Sequence, residues 1–415
     1  MQLTPATGDD LRLVHWVGRA FPDKPAKIGI AVSGGGDSMA LLHLFARWSA
    51  QTGHPIAAVT VDHGLRAGSA AEAASVAAFC AKLGIPHDTL IWNTWDGHGN
   101  LQAAARDARY RLMADWARDN GVAGIALGHT MDDGAETFLM RLSRKAGIDG
   151  LSAMDRVFTR DGLQYARPLW MCKRAELRAY LTRNDIAWVD DPSNDDVDFE
   201  RIRVRKALDT LSDMGLKTES LHHASTAMRQ ARDALEHYTA QEAAAHVRAD
   251  HADLVMPFKP AIPDDIARRL RAKAIAWMGH LPYPPRGSAM QHLMDGLALE
   301  GTHTLGGALV TVADGHMRIT REPNAVSGIT AATDAVWDGR WMLDGPHADD
   351  LHIACLGKAI TECSDWRKIG LPRASVMASP AVWRDTTLIA APIAGLNSDW
   401  TARIVADFHS SLVAH

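Results

Sequence analysis

The stretch Val32-Ser33-Gly34-Gly35-Gly36-Asp37-Ser38 constrains this chain more than any other. The apolar run Ile28 to Val32 leads into it and reads as a buried strand. An amphipathic helix follows, with Leu41, Leu42, Phe45 and Trp48 on one face. Strand, glycine-rich turn and helix is the arrangement that aims backbone N–H groups at a phosphate. The turn does not end in Gly-Lys-Ser/Thr, which excludes a Walker A loop, and its spacing is not G-x-G-x-x-G. A carboxylate such as Asp37 beside a triphosphate is repulsive unless a divalent cation bridges them, so the phosphate reading brings Mg²⁺ with it. The plainer alternative is that Asp37 complements the helix N-terminus while Ser33 and Ser38 cap it.

Downstream, strands and helices alternate. Strands are expected at Lys27–Val32, Ile56–Val61, Asp88–Trp92 and Gly124–Leu127, and helices at Ser38–Ala50, Ser69–Leu83, Leu101–Asn120 and Asp133–Arg144. This pattern predicts an α/β fold with a doubly wound parallel sheet. Ligands in such sheets lie at the carboxyl ends of strands, near the switch point. From about residue 216 the pattern changes to helices (Glu219–Asp250, Pro263–Met278, Ser288–Leu299). A hairpin follows around Asp314-Gly315, then an Ala/Thr/Gly-rich linker at 324–335. The reading is therefore three domains: a catalytic one at 1–215, a mostly helical middle one at 216–330 and a small β-containing one at 331–415.

Net charge bears on partners. At −5 the chain is no polycation, so a nucleic acid would have to be held by local basic patches. The best late cluster is Arg268, Arg269, Arg271 and Lys273, either a nucleic-acid contact or a solvated helix face. Cys80, Cys172, Cys355 and Cys363 stand far apart without a C-x-x-C, which implies neither a zinc ribbon nor a disulfide framework. No signal-peptide pattern or membrane-length apolar run is present, and a cytoplasmic protein without membrane contact is expected.

Four further motifs carry candidate chemistry. Val61-Asp62-His63-Gly64-Leu65-Arg66 ends the second strand; Asp62, His63 and Arg66 either contact a substrate or make an ordinary polar loop. Arg106 and Arg109 are i,i+3 neighbours on one helix, a phosphate grip or a solvated face. In Gly128-His129-Thr130-Met131-Asp132-Asp133-Gly134-Ala135-Glu136, the spacing of Asp133 and Glu136 also fits a cap. With His129 they can instead bind Mg²⁺ or take a proton from an amine nucleophile. Arg201 and Arg205 share a face if helical, and can grip phosphates or pair with the acidic run before them.

The Ser-Gly-Gly-x-Asp-Ser turn resembles the pyrophosphate loop of the N-type ATP pyrophosphatases. All five motifs in this order resemble the tRNA(Ile)-lysidine synthetase family, as do Gly147–Met154, Arg167-Pro168-Leu169 and Trp188 through Asn194, covering roughly residues 25–210. The resemblance implies that ATP adenylates the C2 carbonyl oxygen of the wobble cytidine in a CAU anticodon, and that the ε-amine of free L-lysine displaces AMP. It implies that Ser33, Gly34, Gly35, Gly36, Asp37 and Ser38 hold ATP, that Asp37 and Asp133 hold Mg²⁺, and that Asp37, His129, Asp133 and Glu136 are catalytic. It also implies that Asp62, His63, Arg66, Arg106, Arg109, Arg201 and Arg205 meet substrate or tRNA(Ile). The oligomeric state is not given by the sequence, and a homodimer is the assembly carried as an expectation. Thr130 stands where the family often has a second histidine, and Ile202 follows Arg201 where Asn is common. A tRNA thiolase on the same fold is the alternative; it would be expected to use cysteine pairs.

Overall fold

In the computed structural model the described residues are 8–64, 68–95, 97–189, 200–299, 301–396 and 399–413. The chain divides into two compact units, Met1–Arg232 and Asp233–His415.

The first unit is built on a six-stranded sheet: β1 (Ile28–Ala31), β2 (Ile56–Asp62), β3 (His87–Ile91), β4 (Gly124–Ala126), β5 (Val157–Arg160) and β6 (Leu163–Ala166), in the order β3-β2-β1-β4-β6-β5. All neighbours are parallel except β5, which runs antiparallel to β6. The helices are α1 (Gly8–Val17), α2 (Gly36–Thr52), α3 (Ser69–Leu83), α4 (Leu101–Asp119), α5 (Met131–Ser143), α6 (Ile148–Leu151), α7 (Arg174–Arg183), α8 (Glu200–Asp213) and α9 (Thr218–His246), the last of which contains the division between the units. The four strands expected from sequence are present within a residue or two. The β5–β6 hairpin was not anticipated, although Asp161-Gly162 at its tip, both at positive φ, is a turn signal of the ordinary kind.

Successive strand residues point to opposite faces, and helices cover both. Ile28, Ile30 and Ala58 pack with Leu41, Leu42 and Phe45 of α2. Ala31, Ala57, Val59 and Ile125 pack with Met113 and Trp116 of α4. Burial on both faces is why these strands read as continuous apolar runs. Each fully buried Leu or Phe contributes about 1.5–3 kcal/mol. The chain moves from β1 through β2 to β3 on one side and places β4 on the other, so the strand order reverses between β1 and β4. A crevice at the carboxyl ends of those two strands is the expected ligand position.

The second unit holds a five-stranded antiparallel sheet, β7 (Arg248–Asp250), β8 (Asp253–Pro257), β9 (Thr302–Leu305), β10 (Ala308–Ala313) and β11 (His316–Arg321), in the order β7-β8-β11-β10-β9. Helices α10 (Asp264–Gly279) and α11 (Gly287–Leu299) share its core, through Leu270, Ile275 and Leu293. The hairpin expected at Asp314-Gly315 joins β10 to β11. Two sequence expectations shift. The helix placed at Glu219–Asp250 ends at His246, because a β7–β8 hairpin turning at His251 (φ +56) takes the next residues. The supposed linker at 324–335 is folded: α12 (Pro323–Val326) and β12 (Ala331–Ala332) lie in it, with Val326 and Thr333 buried. Beyond it, β13 (Trp341–Asp344), β14 (His352–Cys355), α13 (Arg373–Met377), β15 (Pro380–Arg384), β16 (Thr387–Ala390), β17 (Thr401–Ile404) and α14 (Phe408–Val413) complete the unit. They supply a β12-β14-β15-β16 sheet and a β13-β17 pair.

The basic cluster on α10 is engaged internally. Arg269 is buried against Glu236 and Asp265, Lys273 pairs with Glu236, Arg268 with Asp265, and Arg271 donates to the Phe258 carbonyl. Among the described residues no helix is long and apolar enough to cross a membrane.

Candidate active site

The loop after β1 is closed by one hydroxyl. Ser38 Oγ accepts from the Ser33 N–H (3.1 Å) and donates to the Gly35 carbonyl (2.9 Å). Gly34 sits at φ +84°, a conformation that disfavours a side chain. A returning segment seals the other side, where the Val189 N–H donates to the Gly34 carbonyl at 3.0 Å. Gly35 caps α2 without any side-chain hydrogen bond. Among the described residues the first N–H groups of α2 therefore have no side-chain cap competing for them, as a phosphate cradle requires.

The loop after β4 lies against it. A Cβ added at Gly128 would stand 3.2 Å from the Ser38 backbone, so a glycine is what lets the two strand ends close up. Thr130 then caps α5. Its hydroxyl accepts from the Asp133 N–H, and Asp133 Oδ2 accepts from the Thr130 N–H (2.8 Å) and hydroxyl (2.9 Å). The capping pair read from the sequence, Asp133 and Glu136, is not the one formed: the box is Thr130–Asp133, one turn earlier, and Glu136 takes no part in it. Thr130, at the unusual position, fixes the orientation of Asp133.

Three carboxylates converge on one guanidinium. Arg174 reaches Asp37 (Nε, 3.2 Å), Glu136 (Nη1, 3.1 Å) and Asp133 (Nη2, 3.3 Å), and its backbone N–H donates to Asp132 (2.7 Å). Two more arginines enter from α8: Arg201 at 2.8 Å from Glu136, and Arg205 at 2.6 Å. The helical face expected for Arg201 and Arg205 exists, and it pairs with Glu136; the acidic run before them lies outside the described residues, so that alternative pairing has no structural description. Burial pushes the Asp37 carboxyl up to about 6, against the pull of Arg174; Asp133 and Asp132 push the same way as burial. Burial also raises Asp133, but Arg174, Arg201 and the Thr130 N–H outweigh it and hold that carboxyl below its usual range. Asp37 Oδ1 is buried with no hydrogen-bond partner among the described residues.

A positive rim borders the carboxylates. His129 is held neutral: burial takes its imidazole down to about 3, helped by Arg167, Arg109 and Arg106. Its Nδ1 is buried without a partner among the described residues, as is His63 Nδ1. Burial and then Arg109 lower His63, whose ring meets Trp92 edge-on at 5.6 Å. Arg109 is half-buried, and Arg106 is exposed and stacks on Tyr110 at 5.5 Å. The Asp62 carboxylate accepts from the Gly64 N–H (2.9 Å), which with Ser69 lowers its pKa; in this structure it makes a turn. Arg66 lies outside the described residues.

Sequence reasoning missed Arg174, and it noted Arg167 only within Arg167-Pro168-Leu169, without a role. A signal for Arg174 was available: it is the first residue of α7, where the helix dipole disfavours a cation, so its position needs another reason. The cysteines offer no nucleophile. Burial pushes the Cys80 and Cys172 thiols up to about 12, and raises Cys355 and Cys363 as well.

Comparison with known proteins agrees with this architecture. The profile of a family described as a PP-loop domain matches residues 12–211. A tRNA(Ile)-lysidine synthase of Ruegeria pomeroyi is 45% identical over 94% of this chain and 95% of its own length. Those of Bradyrhizobium diazoefficiens (38% identical, 71% of this chain, 89% of its own) and Brucella anthropi (35%, 87% and 84%) are also similar. Identity at that level across nearly the whole chain means that the protein belongs to the tRNA(Ile)-lysidine synthase family.

Proposed function

We propose that this protein joins free L-lysine to C2 of the wobble cytidine of a tRNA(Ile) with a CAU anticodon, at the expense of ATP. The observation that carries this reading is the closure of the glycine loop against the α5 start, which brings Asp37, Asp133 and Glu136 around a single guanidinium. An adenylating site needs those parts: a phosphate cradle beside acidic groups that can receive an ammonium.

In the first step the cytidine O2 attacks the α-phosphorus of ATP and pyrophosphate leaves. The N–H groups at the start of α2 hold phosphate oxygens. Arg109, which makes no ion pair among the described residues, adds positive charge, with Arg106 at the rim. In the second step the lysine ε-amine attacks C2, the C2–O bond breaks and AMP leaves. The ammonium must shed a proton before attack, and the Glu136 and Asp133 pair offers the carboxylates that can seat it and take that proton, Asp133 being the weaker base because its carboxyl is held below the usual range. Neutral His129 presents a lone pair or an N–H to the reacting base, and Asp62 and His63 line the same rim. Two groups would hold Mg²⁺: Asp37, through a buried carboxylate oxygen without a partner among the described residues, and Asp133, whose Oδ1 faces Arg174 at 3.3 Å. A magnesium ion held by one or two carboxylates and by ATP would neutralise phosphate charge. Residues 1–215 would carry the chemistry, with 216–330 and 331–415 binding tRNA, and a homodimer is compatible with this assignment.

The test is pyrophosphate release from ATP with lysine and a CAU transcript, alongside reactions lacking lysine or carrying uridine at the wobble position. Cytidine-dependent release with labelled lysine retained on the tRNA is expected. Release without incorporation would point to another nucleophile.

A further inference from the structure

The α10 basic cluster is consumed by internal partners, which leaves open how a chain of net charge −5 holds a polyanion. A different surface has the required character. A cleft of about 610 Å³ in the first unit is bordered by the end of α1, the segment leading to β1, Arg156, and Pro168 to Met171. Its cations are Arg19, Lys24 and Arg156, with the His15 imidazole beside them, and no carboxylate among the described residues lines it. All four side chains are exposed, and none makes an ion pair among the described residues. Between them stand Trp16 and Trp170, both half-buried; the Trp170 ring also meets His222 at 4.8 Å, so a base stacks there only by displacing it, and Arg12 beside Trp16 is paired with Glu176. Arg156 and Arg229 lie 5.4 and 5.6 Å from the Trp170 ring, and Arg12 lies 5.0 Å from the Trp16 ring.

Unpaired cations interleaved with indoles form a surface for a phosphodiester strand carrying stackable bases. A free small anion would not need the aromatic faces, and an acidic protein segment would use the cations without needing flat rings to stack on. The same backbone segment connects this cleft to the chemistry. Arg167 faces His129, Trp170 and Met171 line the cleft, the Cys172 carbonyl accepts from the Met131 N–H at 3.0 Å, and Arg174 holds the carboxylates. We propose that this cleft binds an RNA strand of the tRNA substrate, with phosphates against Arg19, Lys24 and Arg156 and bases against Trp16 and Trp170. The inference rests on tRNA being the substrate.

Two measurements test it on the full chain. In the first, a CAU transcript is titrated into wild type and into the Arg19→Gln/Lys24→Gln/Arg156→Gln variant at several salt concentrations. Affinity is expected to fall at least about tenfold, and the slope of log K against log salt to lose about 2 units, as three phosphate contacts predict. In the second, Met171→Cys carries an azidophenacyl group at an exposed position (45% accessible) and is irradiated with the transcript. A cross-link to tRNA, competed by unlabelled transcript, is expected. An unchanged slope in a folded variant, or no cross-link from position 171 under saturating tRNA, would overturn the cleft assignment. If wild type itself binds no CAU transcript, the tRNA reading fails first, and the two failures are distinguishable.

Discussion

The Arg174 guanidinium and the Asp37 carboxylate, 137 residues apart in the chain, meet at 3.2 Å. Arg174 also contacts Asp133 and Glu136, so one cation organises acidic groups from two different strand ends. Burial alone would lower its pKa, but the surrounding carboxylates reverse this and raise it, so it stays charged.

Replacing Arg174 by Ala removes the attraction that opposes burial at Asp37. The Asp37 carboxyl, already near 6, then rises further, and the acid limb of pyrophosphate release moves to higher pH. Turnover at neutral pH is expected to fall about 100-fold, and Arg174→Lys to recover part of it. A limb that stays in place would show that Arg174 does not tune Asp37.

Asp37→Asn separates function from stability. Loss of the carboxylate is expected to cost about 100-fold or more in turnover. Stability at pH 7 does not fall, because the native fold disfavours this ionised group. The sign follows from linkage: the folded state holds the Asp37 proton more tightly than the unfolded chain. Between pH 3.8 and about 6 the group therefore adds stability as pH falls, and that contribution is lost as pH rises. Thermal melts of both proteins at pH 5 and pH 7 check both signs.

Gly128→Ala places a methyl group 3.2 Å from the Ser38 backbone. The glycine loop must yield, at a cost of about 1–3 kcal/mol. The expected result is a rise in the KM for ATP with a smaller change in the KM for lysine. Equal changes in both would mean that the loop had not been displaced selectively.

His129 behaves in the opposite sense to Asp37. Burial, with Arg167 and Arg109, holds it neutral down to about pH 3, whereas the unfolded chain takes up the proton near 6.5. Stability is therefore lost as pH falls below 6.5, by about 2 kcal/mol between pH 7 and pH 5 for one such group. In His129→Gln that part of the acid slope is expected to disappear in urea titrations. Buried His43, lowered to about 4 by burial and then Arg47, supplies a similar slope in both proteins and cancels in the comparison.

Much of this protein was legible without coordinates. The strand–turn–helix at Val32–Ser38, the four parallel strands, the Asp314-Gly315 hairpin and the shared face of Arg201 and Arg205 all follow from neighbours within about one helical turn or one hairpin. At that range backbone sterics and side-chain period act directly. The helix start near Asp133 was legible too, but the cap read there as Asp133 with Glu136 is formed by Thr130 and Asp133.

What lay beyond the linear pattern was the partnering. Arg174 meets Asp37, Asp133 and Glu136, and Arg268 to Lys273 spend their charge on Asp265, Glu236 and the Phe258 carbonyl. Val189 closes the glycine loop from more than a hundred residues away. Such contacts obey no period. Which charges end up paired, and which are left to face a ligand, depends on how strand order carries distant segments into the same low-dielectric crevice, where an unpaired charge is costly and each partner is chosen by proximity.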